Sequence, residues 1–246
     1  MGDALKRSKF AASLAALALG LTLAGCGDTD GTDSDGMATA ADGSASSSTS
    51  ETGAGSSDSP ASTPDPSASG DWWPEQPDKM ATGQEFPNNY EPATLEHPAR
   101  NVPKPVMPEE AKQETEAGAQ AFLDYYGDAT WYAFQSGDTG LVRELSSENC
   151  ERCLSEFDEI DSVYGNGDWF VGGSEAVEVH SGSFLQRSTG EYTLPISVNS
   201  TGLKIIEKNK VTFEQEPFNE SDSFDVTLVR EGDSWIYVTA SPRGEL

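Results

Sequence analysis

Apolar residues fall into three zones along the chain. Residues 10–24 are an uncharged, largely apolar run behind Lys6, Arg7 and Lys9, residues 27–87 hold few large apolar side chains, and from about Tyr90 the pattern becomes periodic. In the last zone Pro92, Pro98, Pro103, Pro105 and Pro108 keep the approach extended, because a proline and the residue before it avoid the helical region. Pro108 suits a first helical turn, with Glu109 and Glu110 at its positive end. Gly118, Phe122, Tyr125, Ala129 and Tyr132 then recur at spacings of three and four, which predicts a helix to about Ser136 with Gly137 just past its end. Asp138 can cap a short second helix carrying Leu141, Val142 and Leu145, and a third follows Asn149 with a stripe of Leu154, Phe157, Ile160 and Tyr164.

After Gly165, Asn166 and Gly167 the period switches to two. Val177 and Val179 share one strand face, and Tyr192, Leu194, Ile196 and Val198 alternate as a half-buried strand should. Residues 204–213 predict one irregular strand. Phe224, Val226 and Leu228, a Gly232–Asp233 turn, then Trp235, Tyr237 and Thr239 predict a closing hairpin. Helices first and antiparallel strands after is an α+β order.

The first two zones carry no such periodicity. The run at 10–24 is about fifteen residues, short of the roughly twenty that a helix needs to cross a bilayer. With its positive flank it predicts a signal peptide over residues 1–25. It ends in Leu23, Ala24, Gly25 and Cys26, which resembles the lipobox of bacterial lipoproteins. That resemblance implies diacylglyceryl transfer to the Cys26 thiol, cleavage after Gly25 and a palmitate-type anchor, since two acyl chains hold stably where one does not. From 26 to 88 Ser, Thr, Gly, Ala, Pro and Asp predominate, a composition that cannot repay the entropy of ordering and predicts a disordered acidic linker. Trp72 and Trp73 stand out in it, as a loose packing contact or a partner-binding motif.

Charge narrows the partners. The 246-residue chain has a formal charge of −27 and no basic stripe, which argues against nucleic acid and against docking on anionic headgroups. The expected membrane contact is therefore the lipid on Cys26, which places the folded part on the extracytoplasmic face of the cell membrane.

A long helix, two shorter ones and a curved antiparallel sheet closed by a hairpin resemble the cone of nuclear-transport-factor-2-like and cystatin-like folds, in which helix and bent sheet enclose a pocket. A second resemblance rests on Tyr90–Glu91–Pro92–Ala93–Thr94, residues 98–105, Cys150–Glu151–Arg152–Cys153 and residues 167–173. These look like an uncharacterised domain family of actinobacterial lipoproteins, spanning here about residues 89–241. The resemblance implies a cell-envelope location and no known activity.

Candidate chemistry is sparse. Cys150 and Cys153 open the third helix, where the helix dipole lowers a thiol pKa. They read as a structural disulfide of an oxidising compartment or as a thiol–disulfide redox pair. His97 and His180 are the two histidines, so no metal set is legible and no cofactor is expected. Glu178 and His180 lie two apart on one strand face but out of phase with Val177 and Val179, so the pair should face water. Tyr125, Trp131, Tyr132 and Trp169 are candidates for a pocket or its rim. The sequence thus predicts a tethered, non-catalytic domain that binds a small apolar ligand or an envelope protein. A thiol oxidoreductase using Cys150 and Cys153, and a pocket isomerase or hydrolase, are the alternatives.

Overall fold

A computed structural model describes residues 72–182 and 184–243, the side chains of residues 221–223 apart. The leader, Cys26 and the linker up to residue 71 lie outside the described residues. Helices precede sheets, in an α+β arrangement: α1 is Glu116–Ser136, α2 Gly140–Glu144 and α3 Glu151–Gly165, followed among the described residues by eight strands. No helix among the described residues is long and apolar enough to cross a membrane.

The first helix starts later than the proline pattern predicts. Glu109–Lys112 is a separate 3-10 turn, and α1 begins after Thr115, whose Oγ1 accepts the Gly118 N–H at 3.0 Å. Thr115 is therefore the true N-cap. Gly118 allows the turn to fold back, since a Cβ there would strike the Gln113 carbonyl. At the other end Gly137 adopts φ 76° and closes the helix as predicted.

The strands form two antiparallel sheets, where one curved sheet was expected. One has the order β1 (Trp169–Gly172), β5 (Leu203–Glu207), β6 (Lys210–Gln215). The other runs β2 (Glu175–Val179), β4 (Tyr192–Ser200), β7 (Phe218–Glu231), β8 (Ser234–Pro242), with the short β3 (Leu185–Gln186) also on β4. The chain changes sheet at Gly172 and Gly173, both at positive φ (83° and 80°), a backbone that side chains resist. Residues 204–213, expected as one strand, are the β5–β6 hairpin: Lys208 and Asn209 turn it at φ 52° and 61°.

The core lies between α1, α3 and the inner faces of the sheets. Tyr192, Leu194, Ile196 and Val198 are all buried, as their alternation predicts. Phe122, Phe157, Ile160, Val226, Leu228 and Trp235 join them with almost no exposed surface. Each such side chain contributes about 1.5–3 kcal/mol by leaving water. Trp235 sits edge-on to Tyr192 at 5.0 Å and donates its indole N–H to the Gln113 carbonyl at 3.1 Å, which ties the closing hairpin to the start of α1.

The last part of the expected linker, residues 72–88, is packed onto the domain. Lys204 is 1% exposed, pairs with Glu214 at 2.8 Å and lies 4.4 Å from the Trp72 ring and 5.7 Å from that of Trp73. Further on, Met80 is buried, and the Asp128 carboxylate accepts from the Ala81 N–H (2.7 Å), the Thr82 N–H (3.0 Å) and the Thr82 hydroxyl (2.7 Å). Composition averages over such a segment, whereas a few aromatic and hydrogen-bonding anchors decide whether it docks.

Candidate functional site

Two glutamines hold α1 across the sheets. Gln120 donates to the Val177 carbonyl and accepts from the Val179 N–H, both at 2.7 Å, which closes the free edge of β2. Gln135, fully buried, donates to the Gly172 carbonyl at 2.7 Å. The helix thus bridges both sheets and does not lie flat on either. A partly open cavity of about 70 Å³ remains beneath it, bounded by α1, the start of α3 and strands from both sheets. Leu123, Phe134, Ile196, Leu203 and Val226 form its apolar wall.

Its polar groups arrive from four elements. Tyr126 on α1 and Tyr237 on β8 stack flat, with ring centroids 4.3 Å apart and planes 7° from parallel. The Ser146 hydroxyl donates to the Val142 carbonyl at 2.8 Å, so the Tyr126 hydroxyl, 3.0 Å away, donates to Ser146. The Ser147 N–H to Tyr237 carbonyl bond (2.7 Å) and the Tyr237 N–H to Leu145 carbonyl bond (2.9 Å) clip the α2–α3 corner onto β8. That clip sets the Cys150–Cys153 disulfide into the same wall, with Cα atoms 5.2 Å apart. Cys150 is also the N-cap of α3, its sulfur accepting the Cys153 N–H at 3.3 Å.

Two carboxyls complete the lining. Glu156 on α3 and Glu175 on β2 are both half-buried and border the cavity. Burial pushes Glu156 up to about 8, helped by repulsion from Glu175 and opposed by the Arg152 charge. Burial alone pushes Glu175 up to about 7. Tyr126 and Tyr237 are raised by burial as well and stay neutral. Near pH 7 the site therefore holds a proton that ordinary glutamates would have lost. Carboxyls whose proton affinity lies in this range can donate, accept or exchange a proton with a bound molecule. Among the described residues no group of three or more His, Cys, Asp or Glu is placed to hold a metal.

The aromatics that the sequence nominated lie elsewhere. Tyr125 is buried in the main core, Tyr132 reaches Asp138 at 3.4 Å, and Trp131 is buried against Phe86 and Tyr90 at 5.3 and 6.0 Å. Trp169 packs with Ala93, Val171 and Ile206 and donates to the Thr94 carbonyl at 2.8 Å. None of the four lines the cavity: α1 turns residues 123, 126, 127, 130 and 134 toward it, and Trp169 on β1 belongs to a separate cluster. Glu178 is exposed, and the His180 ring bonds Ser197 Oγ at 2.7 Å. Cys26 lies outside the described residues.

Glu156 and Glu175 escaped sequence reasoning, yet each had a signal. Glu175 stands two residues before Val177, in phase with the inward face of β2. Glu156 lies three after Cys153 and four before Ile160, two residues of the buried side of α3.

Comparison with known families finds one match, over residues 88–241, to a family of unknown function (DUF6318). No curated protein matches the chain.

Proposed function

The chain belongs to the DUF6318 family, and on the evidence of its cavity we propose that this domain is a small-molecule-binding module of an extracytoplasmic lipoprotein. The observation that carries the reading is an apolar cavity of about 70 Å³ into which two carboxyls and a tyrosine pair converge. A few polar groups on an apolar wall is the usual composition of a ligand site. The lipobox-like Leu23–Ala24–Gly25–Cys26 and the Ser/Thr/Gly-rich stretch after it support a lipid-anchored domain held off the membrane surface. The order of elements supports a relationship to cone-like folds of the nuclear-transport-factor-2 type, and the quoted motifs support an actinobacterial envelope.

A thermal-shift screen of the purified chain against small amphipathic fragments tests the binding reading. Fragments that stabilise the wild type should lose their effect in Ala240→Phe, which fills the cavity. A well-folded wild type that no fragment stabilises would end the proposal.

One observation favours a second reading, thiol–disulfide exchange. The Cys150–Cys153 disulfide lines the same cavity, and Glu156 follows Cys153 by three residues on α3. A thiol entering the cavity would attack one sulfur as its thiolate, form a mixed disulfide and release the other cysteine as a thiolate. Faster insulin reduction by dithiothreitol with wild type than with Cys150→Ser would favour it, and equal rates would remove it.

A further inference from the structure

Resting on the reading of the cavity as a ligand site, we propose that its ligand is a small organic cation, a primary ammonium head held by Glu156, Glu175 and the Tyr237 hydroxyl. Among the described residues neither carboxyl accepts a hydrogen bond or forms an ion pair at close range, although both border the cavity. Tyr237 is 7% exposed, its ring lines the cavity, and its hydroxyl makes no hydrogen bond among the described residues. These polar atoms stay open to the cavity, and an ammonium brings three N–H donors on one atom.

Charge and size point the same way. The titratable groups on the cavity are Arg152 and Glu156 from α3, Glu175 from β2, Tyr126 from α1 and Tyr237 from β8. With both glutamates ionised and both tyrosines neutral, the site carries one net negative charge, and Arg152 is exposed at its rim. The −27 charge of the whole chain favours the approach of cations. A cavity of about 70 Å³ is smaller than the roughly 150 Å³ that accepts benzene. It takes a head of a few heavy atoms and not a drug-sized ligand.

A bound ammonium favours the ionised carboxyls, so binding must expel protons that the empty site holds near pH 7. Affinity should therefore rise with pH, whereas a bound anion would take protons up and weaken with pH.

Isothermal titration of the full purified chain in detergent, at 150 mM salt, with n-butylammonium, n-butanol and butanoate tests this. Titrations at pH 6.5, 7.5 and 8.5 in two buffers of different ionisation enthalpy count the protons. Butylammonium should bind at least tenfold tighter than butanol, release protons and tighten three- to tenfold from pH 6.5 to 8.5. It should weaken at least tenfold in Glu156→Gln/Glu175→Gln and severalfold in Tyr237→Phe, which alters no charge. Butanol binding as well as the amine would overturn the cation and leave the cavity reading standing. Preferred butanoate with proton uptake would do the same. Undiminished amine binding in the double variant would move the ammonium to the acidic surface and overturn the site. Failure of all three probes would sink both readings.

Discussion

Replacing Glu156 by Gln should stabilise the protein in alkaline solution and leave it unchanged in acid. An ordinary glutamate ionises at 4.5, but burial in the cavity holds the Glu156 proton to about pH 8. Between those values the folded state binds a proton that the unfolded chain has lost, so the free energy of unfolding falls as pH rises. The contribution is fully present below 4.5 and gone above 8. At about 1.4 kcal/mol per pH unit, the span sets an upper limit of about 5 kcal/mol. Glu156 is half-buried and borders the partly open cavity, so solvent screening reduces this to about 1–3 kcal/mol. Glutamine keeps the shape and never ionises. Urea unfolding followed by tryptophan fluorescence should give equal stabilities at pH 5 and a variant more stable by about 1–3 kcal/mol at pH 9. Glu175 is intact in both proteins and largely cancels in the comparison, so the divergence should grow as pH rises toward 8 and level off above it. Parallel curves from pH 5 to 9 would show that Glu156 is as well solvated as any surface carboxylate, and the electrostatic account of the cavity would fail.

Two other outcomes follow from the contacts and a third from the proposed lipid anchor. Cys150→Ser/Cys153→Ser opens a loop with a sequence separation of 3, so unfolding free energy should drop by only about 2 kcal/mol, measured by urea titration. Asp128→Ala leaves two backbone N–H groups and the Thr82 hydroxyl without their acceptor; it should cost about 2–4 kcal/mol and bring early proteolysis between residues 72 and 90. Cys26→Ala should abolish incorporation of a palmitate analogue and leave residues 1–25 uncleaved, read by intact mass.

Much of the α+β layout was legible because its signals are local. Helical spacing and end residues placed α1 and its Gly137 stop, and alternation placed β4 and the β7–β8 hairpin, since each pattern is read within one element. The site was not legible in the same way. Tyr125 and Tyr132 lie on the apolar stripe of α1, yet the cavity faces Tyr126, because the glutamine clamps at Val177 and Gly172 set the helix rotation. Packing of residues 72–88 likewise depends on Lys204 and Asp128, far along the chain.

The sequence by itself determined that helices precede antiparallel strands, the lipobox-like cysteine and the cysteine pair at the head of α3. Only the tertiary structure decided that Glu156 and Glu175 border one cavity with Tyr126 and Tyr237. The period of a helix or strand says which face a residue shares, but the proton affinity of a carboxyl depends on the dielectric and charges that distant elements bring around it.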